Sequence, residues 1–382
     1  MLILASVTLM LICATGIELA LGNRSSSKLW EMSPIVDSIN EVPLVSVVIP
    51  ARNEERSIRQ ALNSVLRQEY PRLEVIVLND RSEDRTGEIL SELSKDEPRL
   101  RVISIEQLPP GWLGKNHALY VGAMQAKGQL LLFTDADVVM ARTTVSRAVN
   151  YLLGRQLDHV AAICKIEASG VALSMFINGF CVFFSSFYKP WRARDPKSRY
   201  YIGIGAFNFM RAAVYRQVGT HQAIAMRPDD DMKLGKLIKH HGFRQDVVNA
   251  QDLISVRWYA SFAELIDGLM KNAFAGTEYR ITVTLAFIGA TLMLNLWPLF
   301  GVALTSGLTR LLNTVTVLVS LLVFWDSARL ARFKPWVALG YPFAALTMVY
   351  ILVRSMMLAL IHNGIRWRGT YYPLAALRRN KV

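Results

Sequence analysis

Residues 129–139 read QLLLFTDADVV, and they constrain the fold more than any other part of the chain. Leu130 to Phe133 are four apolar residues bounded by polar ones. That is the pattern of a strand buried on both faces in a parallel sheet. The run stops on two carboxylates one residue apart, Asp135 and Asp137. Open α/β sheets bind ligands where such strands end. Two acids at this spacing can share one hard divalent cation, whose remaining positions water and substrate phosphates fill. A lone D-x-D is more often an acidic, solvated loop, so its neighbours in the sequence decide its meaning.

Those neighbours alternate between strand and helix. Residues 45–49 read as a buried strand ended by Pro50, and residues 53–57 open a helix that carries Ile58, Leu62, Val65 and Leu66 on one face. Residues 73–78 and 100–105 are further strands, with a turn at 79–84 and a helix over 86–93. A loop at 108–114 leads into a helix over 115–126, which precedes the strand at 129. Four such alternations predict an α/β fold, a parallel sheet covered by helices on both faces. Beyond Asp137 the pattern predicts a helix over 142–153, a strand over 160–168 and an apolar helix over 173–188. Sixteen residues are short for a full membrane span, so that helix reads as lying at a membrane surface or in a core. A glycine-relieved loop and strand at 203–210, a short helix at 211–218, a helix from Asp229 and an amphipathic segment at 262–274 complete the globular part.

The chain has 382 residues, 52% of them hydrophobic and 19% charged, with a net charge of +13. From Tyr279 onward there are eleven Lys/Arg against Asp326 alone. The excess therefore flanks hydrophobic stretches at 281–304, 311–325 and 336–361. That suits anionic lipid headgroups, and no nucleic-acid partner is expected. Residues 1–21 lack a basic n-region and read as a transmembrane anchor, with Arg24 and Lys28 placing the following side in the cytoplasm. Three full C-terminal spans would then leave the basic tail outside, against the orientation rule; a re-entrant or interfacial stretch would reconcile the two. Cys13, Cys164 and Cys181 are far apart and read as small apolar side chains.

Acids recur at the predicted strand ends and helix starts: Asp80, the Asp135/Asp137 pair and the triplet Asp229, Asp230 and Asp231. Topology predicts that these positions share one crevice. There a carboxylate could accept hydrogen bonds from a nucleobase or ribose, a pair could hold a cation on a diphosphate, and an acid at a helix start could act as a general base. Adjacent acids repel, which pushes at least one pKa upward and suits proton abstraction.

These motifs resemble the family 2 glycosyltransferases. VSVVIPARNEE at 45–55 is similar to their opening strand, LNDRSEDRT at 78–86 to their D-D-x-S-x-D-x-T turn, FTDAD at 133–137 to their D-x-D and DDMKL at 230–234 to their E-D-x-x-L. GWLGKNHA at 111–118, with the hydrophobic C-terminus, is most similar to a membrane-bound subgroup. That subgroup includes ceramide glucosyltransferases and hopene-associated and carotenoid-acid glycosyltransferases.

The resemblance implies a GT-A fold, a Rossmann-like and mostly parallel sheet, with N- and C-terminal transmembrane helices. It implies an anchor at 1–22, a linker at 23–43, a catalytic domain at 44–280, a transmembrane region at 281–365 and a basic tail at 366–382. The implied reaction is an inverting, metal-dependent transfer of a single hexose from a nucleotide sugar, a UDP-sugar, to a hydroxyl or carboxyl of a membrane lipid or isoprenoid. Asp80 would contact the base, with Ala51, Arg52 and Glu54 lining its pocket. Asp135 and Asp137 would bind ribose, diphosphate and Mg²⁺ or Mn²⁺. Lys115 would face the phosphates, although it reads equally as a solvated helix residue. Asp231 would be the base, with Asp230 competing because it replaces the family's Glu. Arg257 and Trp258 match the R-W half of Q-x-x-R-W, while Ile254 departs from the Gln or Arg before it and speaks against processive polymerisation. Trp258 reads otherwise as a packing residue, Asp84 as a helix cap, and His117, His240 and His241 as surface or supporting residues. The expected location is the cell membrane, multi-pass, with the catalytic domain cytoplasmic. Two alternatives stay open: transfer to a polyprenyl phosphate, and a non-catalytic membrane protein that binds nucleotide sugar.

Overall fold

The structure is a computed structural model, and it describes residues 1–35 and 42–382. Part of the linker expected at 23–43 therefore lies outside the described residues. The chain divides into two compact units. One is helical: residues 1–25, 166–189 and 258–378. The other is α/β: residues 26–165, 190–257 and 379–382. The interval 44–280 thus contains two segments, 166–189 and 258–280, that cluster with the helices.

Helix α1 (Leu2–Ser25) opens the chain, followed by strands β1 (Ser27–Lys28) and β2 (Val45–Ala51). Then come α2 (Ile58–Leu66), β3 (Leu73–Asp80), α3 (Thr86–Ser94), β4 (Leu100–Ile105), α4 (Gly114–Gln125) and β5 (Leu130–Phe133). The sequence continues through β6 (Val138–Met140), α5 (Thr144–Gly154), β7 (His159–Ile163), β8 (Lys165–Ile166) and α6 (Val171–Tyr188). Strand β9 (Asn208–Arg211) leads into α7 (Ala212–Gln217), α8 (Asp230–His240), β10 (Gln245–Asn249) and β11 (Ile254–Val256).

The main sheet runs β1-β10-β7-β9-β5-β2-β3-β4, and β6-β11-β8 form a smaller one. Val47, Val48, Val75, Ile76, Val77 and Leu132 are each 0% exposed, as wholly apolar central strands require. Each such side chain contributes about 1.5–3 kcal/mol on burial. The sheet is not fully parallel: β9 runs antiparallel to both β5 and β7. Its chain arrives over the C-terminal ends of the neighbouring strands and can only run back along them.

Two local differences from the sequence reading matter, and one expectation is extended. Asn53 adopts a left-handed φ of 56°, so α2 starts only at Ile58. Strand β3 continues through Asn79 and Asp80, pairing Asp80 with Ile105, rather than turning at 79. Asp84 accepts the N–H of Thr86 at 3.0 Å and that of Glu55 at 3.0 Å, so it caps α3 and also fastens the loop after β2.

The helical unit adds α9 (Phe262–Gly276), α10 (Ile281–Asn295), α11 (Trp297–Leu304), α12 (Gly307–Leu330) and α13 (Tyr341–Ile361). A hairpin of β12 (Gly364–Trp367) and β13 (Thr370–Pro373) precedes α14 (Leu374–Arg379). Ser261 accepts the Glu264 N–H at 3.1 Å, starting α9 as S-x-x-E sequences do. Among the described residues four helices are long and apolar enough to cross a membrane, or five if the α10–α11 pair, bent by 43°, counts as one. The apolar segment that contains α6 runs for 22 residues, to Arg192, and is therefore longer than its sequence suggested. The stretch at 311–325 likewise lengthens: α12 takes in Arg310, Asp326 and Arg329. Asp326 is matched there by Arg24, at 2.8 and 2.5 Å, and Glu18 by Lys189 at 2.6 Å.

Candidate active site

Parallel strands β2, β3 and β5 end on the same edge of the main sheet, and the loops after them carry the acids. The first turn of α4 directs Lys115 into this edge. Its Nζ lies 2.8 Å from Asp135 Oδ1 and 3.7 Å from Asp230 Oδ2. Asp231 is held by two backbone donors: Met232 N–H to Oδ1 at 2.7 Å and Gly205 N–H to Oδ2 at 2.8 Å.

Gly205 stands at the centre. A β-carbon there would lie 2.8 Å from Asp135 Oδ2, 3.3 Å from Lys115 Nζ and 3.5 Å from Asp231 Oδ2. Its loop lies flush on α8. A β-carbon on Gly203 would be 1.8 Å from the Asp231 carbonyl oxygen, and one on Gly235 would be 1.9 Å from the Ile202 oxygen. Only glycine allows either contact.

The electrostatics follow from this crowding. Burial draws the Lys115 ammonium down, but Asp135, Asp230 and Asp231 overcome it and hold it above the ordinary lysine range. Burial pushes the Asp231 carboxyl up, with Lys115 opposing. Asp137 is pushed up to about 7, by burial first and then by the charges of Asp135 and Glu54. These side chains fit a hard cation in one respect: oxygen donors with uncompensated repulsion gain by sharing a positive charge. Among the described residues no three His, Cys, Asp or Glu converge as a closed metal cage. A cation here would rest on few carboxylates and take the rest of its shell from substrate.

The structure brings Asp135, Asp230, Asp231 and Lys115 together. Asp80, 4% exposed, has both oxygens engaged by Arg81, at 2.7 and 2.9 Å, and abuts the start of α4. A β-carbon on Gly114 would stand 2.5 Å from Asp80 Oδ2. Ala51 is buried at the end of β2, Arg52 is half-buried, and Glu54 receives the Ser57 hydroxyl at 3.1 Å. Asp229 does not join the site's acids: Arg227, 1% exposed, grips it at 2.9 Å through both Nε and Nη2, and Lys233 lies 3.6 Å away. Arg257 is exposed where the α/β unit ends. Trp258 belongs to the helical unit and packs on Phe180 and Tyr259, with ring centroids 4.8 and 5.1 Å apart. Ile254 is buried in β11, opposite Met140.

Sequence reasoning missed several residues. Arg81 sits beside its partner acid, which a reading of motifs passes over. Asn116 donates to the carbonyls of Ile224 (2.8 Å) and Arg227 (2.9 Å), bolting the loop before α8 to α4. His221 is 1% exposed and lines the same small cavity as Lys115, Asp135, Asp230 and Asp231. Arg81 and Asn116 lay inside the motifs at 78–86 and 111–118, whereas His221 carried no signal of its own.

The profile described as Glycosyl transferase family 2 matches residues 46–219, from β2 through the D-x-D and beyond β9. Residues 46–219 are thus similar to family 2 glycosyltransferase domains. The matched range ends before Asp230 and Asp231. A probable glycosyltransferase of Bacillus subtilis (strain 168), YdaM, is 32% identical over 209 residues, covering 52% of this chain and 47% of that protein. A 4,4'-diaponeurosporenoate glycosyltransferase of Staphylococcus haemolyticus (strain JCSC1435) is 27% identical over 241 residues, 61% of this chain and 62% of that one. The chain thus spans about half of the first relative and less than two thirds of the second. The solved mannosyltransferase PcManGT of Pyrobaculum calidifontis, in complex with GDP-Man and Mn²⁺, superposes with a TM-score of 0.55 at 18% identity. The superposition covers 94% of this chain and 99% of that one, and it shows the fold, GT-A.

Proposed function

We propose that this protein transfers a single hexose, with inversion, from a nucleoside diphosphate sugar to a hydroxyl or carboxyl of a membrane lipid or isoprenoid. The observation that carries the reading is the meeting of Asp135, Asp230, Asp231 and Lys115 around Gly205. The names of the relatives support it, one of them a glycosyltransferase for a carotenoid acid.

In this reading the ends of β2 and β3 hold the nucleotide: Ala51, Arg52 and Glu54 line the pocket, with Asp80 and Arg81 at its base. Asp135 and Asp137 would hold Mg²⁺ or Mn²⁺, which supplies Lewis-acid stabilisation to the leaving diphosphate. Lys115 faces the same charge. Asp231 is the base: its carboxylate takes the proton of the acceptor hydroxyl as that oxygen bonds to the anomeric carbon and the diphosphate oxygen leaves. Two backbone N–H groups fix its aim, and its raised pKa strengthens it as a base. Asp230 is more deeply buried, which favours Asp231 for this role. In this reading a UDP-sugar is the donor and the protein is a multi-pass protein of the cell membrane with its α/β unit on the cytoplasmic side; the long apolar helices, and Arg24 and Lys28 after the first of them, support it.

Asp231→Asn tests the assignment. Turnover should fall by about 10²–10⁴, while the affinity for the nucleotide sugar stays unchanged in calorimetry. Wild-type turnover on a hydroxylated lipid would remove Asp231 from the mechanism. If the Asp231→Asn variant stays active on a polyprenyl phosphate, whose nucleophile is already an anion, that acceptor is favoured instead. Lipids from cells with and without the protein should differ by the mass of one hexose.

A further inference from the structure

His221 is a deeply buried polar ring in the cavity between the acids, and neither the sequence motifs nor the relatives assign it a role. It is 1% exposed. Its ring packs edge-on against Phe133, centroids 5.0 Å apart, on the last residue of β5. The Tyr215 hydroxyl accepts the His221 backbone N–H at 3.1 Å and lies 2.8 Å from Nδ1. A phenol that already accepts one hydrogen bond places its own proton on the nearest acceptor, here Nδ1. The ring proton then sits on Nε2. Among the described residues no protein partner takes Nε2, and the ring lines a cavity shared with Lys115, Thr134, Asp135, Asn208, Asp230 and Asp231.

The cavity offers about 10 Å³, against the roughly 10–15 Å³ that one water needs. It is too small for a sugar and polar enough for a water, which needs two to four partners. We propose that His221 is a positioning residue, whose Nε2–H holds a buried water that in turn fixes the carboxylates of Asp230 and Asp231. The ring is suited to this because it does not ionise in the working range. Burial first, and then the Lys115 charge, push it down to about 3, so it is a constant neutral donor beside three acids and one ammonium. Tyr215 sets the tautomer, and Phe133 sets the plane.

The inference rests on the transferase reading for its kinetic test but not for its spectroscopic one. His221→Phe keeps the ring and its packing and removes only the donor. It should lower kcat at least tenfold, with an unchanged KM for the nucleotide sugar and an unchanged melting temperature. His221→Gln, which restores an N–H donor, should recover part of the loss. A Phe variant with wild-type kcat, or a loss that follows the melting temperature and is not relieved by Gln, would overturn the proposal. Because the variants can misfold, the wild-type protein labelled with ¹⁵N-histidine gives a second reading. The spectrum should show a neutral ring protonated at Nε2 throughout pH 5–8. A ring that titrates near pH 6.5, or carries its proton on Nδ1, would sink the idea. If the wild-type protein transfers no sugar to any lipid, the transferase reading fails while this spectrum still judges His221.

Discussion

Asp229, Asp230 and Asp231 are identical in the sequence and different in the structure. Asp229 neutralises two cations that are nearly fully buried, Arg227 and Lys233; Asp230 faces Lys115; Asp231 is aimed by backbone. The triplet was legible as a functional signal, but the division of labour was not, because it depends on which side chains the loop before α8 buries. Removing one partner of a buried ion pair leaves the other charge uncompensated. Asp229→Ala should therefore cost about 3–5 kcal/mol of stability, seen as a large drop in the denaturant midpoint. A midpoint unchanged within error would mean that Arg227 reaches water. A second residue sets a pH limit. His159 is buried beside Asn208, and burial pushes its pKa down to about 4 from the ordinary 6.5. The unfolded chain binds the proton first, so stability is full above about pH 6.5 and declines as pH falls towards 4. The loss is on the order of 3 kcal/mol. His159→Gln should flatten that part of the profile of melting temperature against pH.

At the scale of elements, the strands and helices from β2 to β5 were legible because their periodicities are clean and their ends carry acids or glycine. The direction of β9 was not, since a four-residue strand carries no mark of the path by which the chain reaches it. That path is the loop at 202–205, pressed on α8 so closely that only glycine fits at 203 and 235. The loop in turn supplies the N–H that aims Asp231. Gly235→Ala adds one methyl group one helical turn along α8 from Asp231, against the Ile202 carbonyl. The backbone must move, and the Gly205 donor moves with it. Misplacement of about 1 Å costs on the order of 10²-fold in rate. The variant should lose activity to that extent while its Asp231 is intact; full activity would show that the loop does not set the base.

At the scale of the whole chain, a compact unit cannot lie on both sides of a bilayer, and this narrows a count that hydropathy left open. The α/β unit is built from residues 26–165, 190–257 and 379–382. The last piece is integral to it: Met226 N–H donates to Asn380 Oδ1 at 2.9 Å, Asn380 Nδ2 to the Ala223 carbonyl at 2.9 Å, and Val382 packs on the core. If the chain spans a membrane, it must cross an even number of times between each pair of pieces. Helix α6 joins 165 to 190 and so does not cross alone, although its apolar segment is long enough. Between 257 and 379 lie the bent α10–α11 pair, α12 and α13. An even count would be met if α12 and α13 span and the α10–α11 pair turns back within one leaflet, which its 43° bend allows. With α1 that arrangement would have three spans, the N-terminus outside and the basic tail inside, in accord with the orientation rule. The expected outcome is specific. In sealed inside-out vesicles, a thiol reagent that does not cross the bilayer should label a cysteine placed at Ser306 or at Lys381 but not one placed at Arg332. Position 306, between α11 and α12, and position 381 should both react from the cytoplasmic face, and position 332, between α12 and α13, only from the other. Labelling of 332 and 381 from the same face would show that α13 does not cross and would overturn the three-span arrangement.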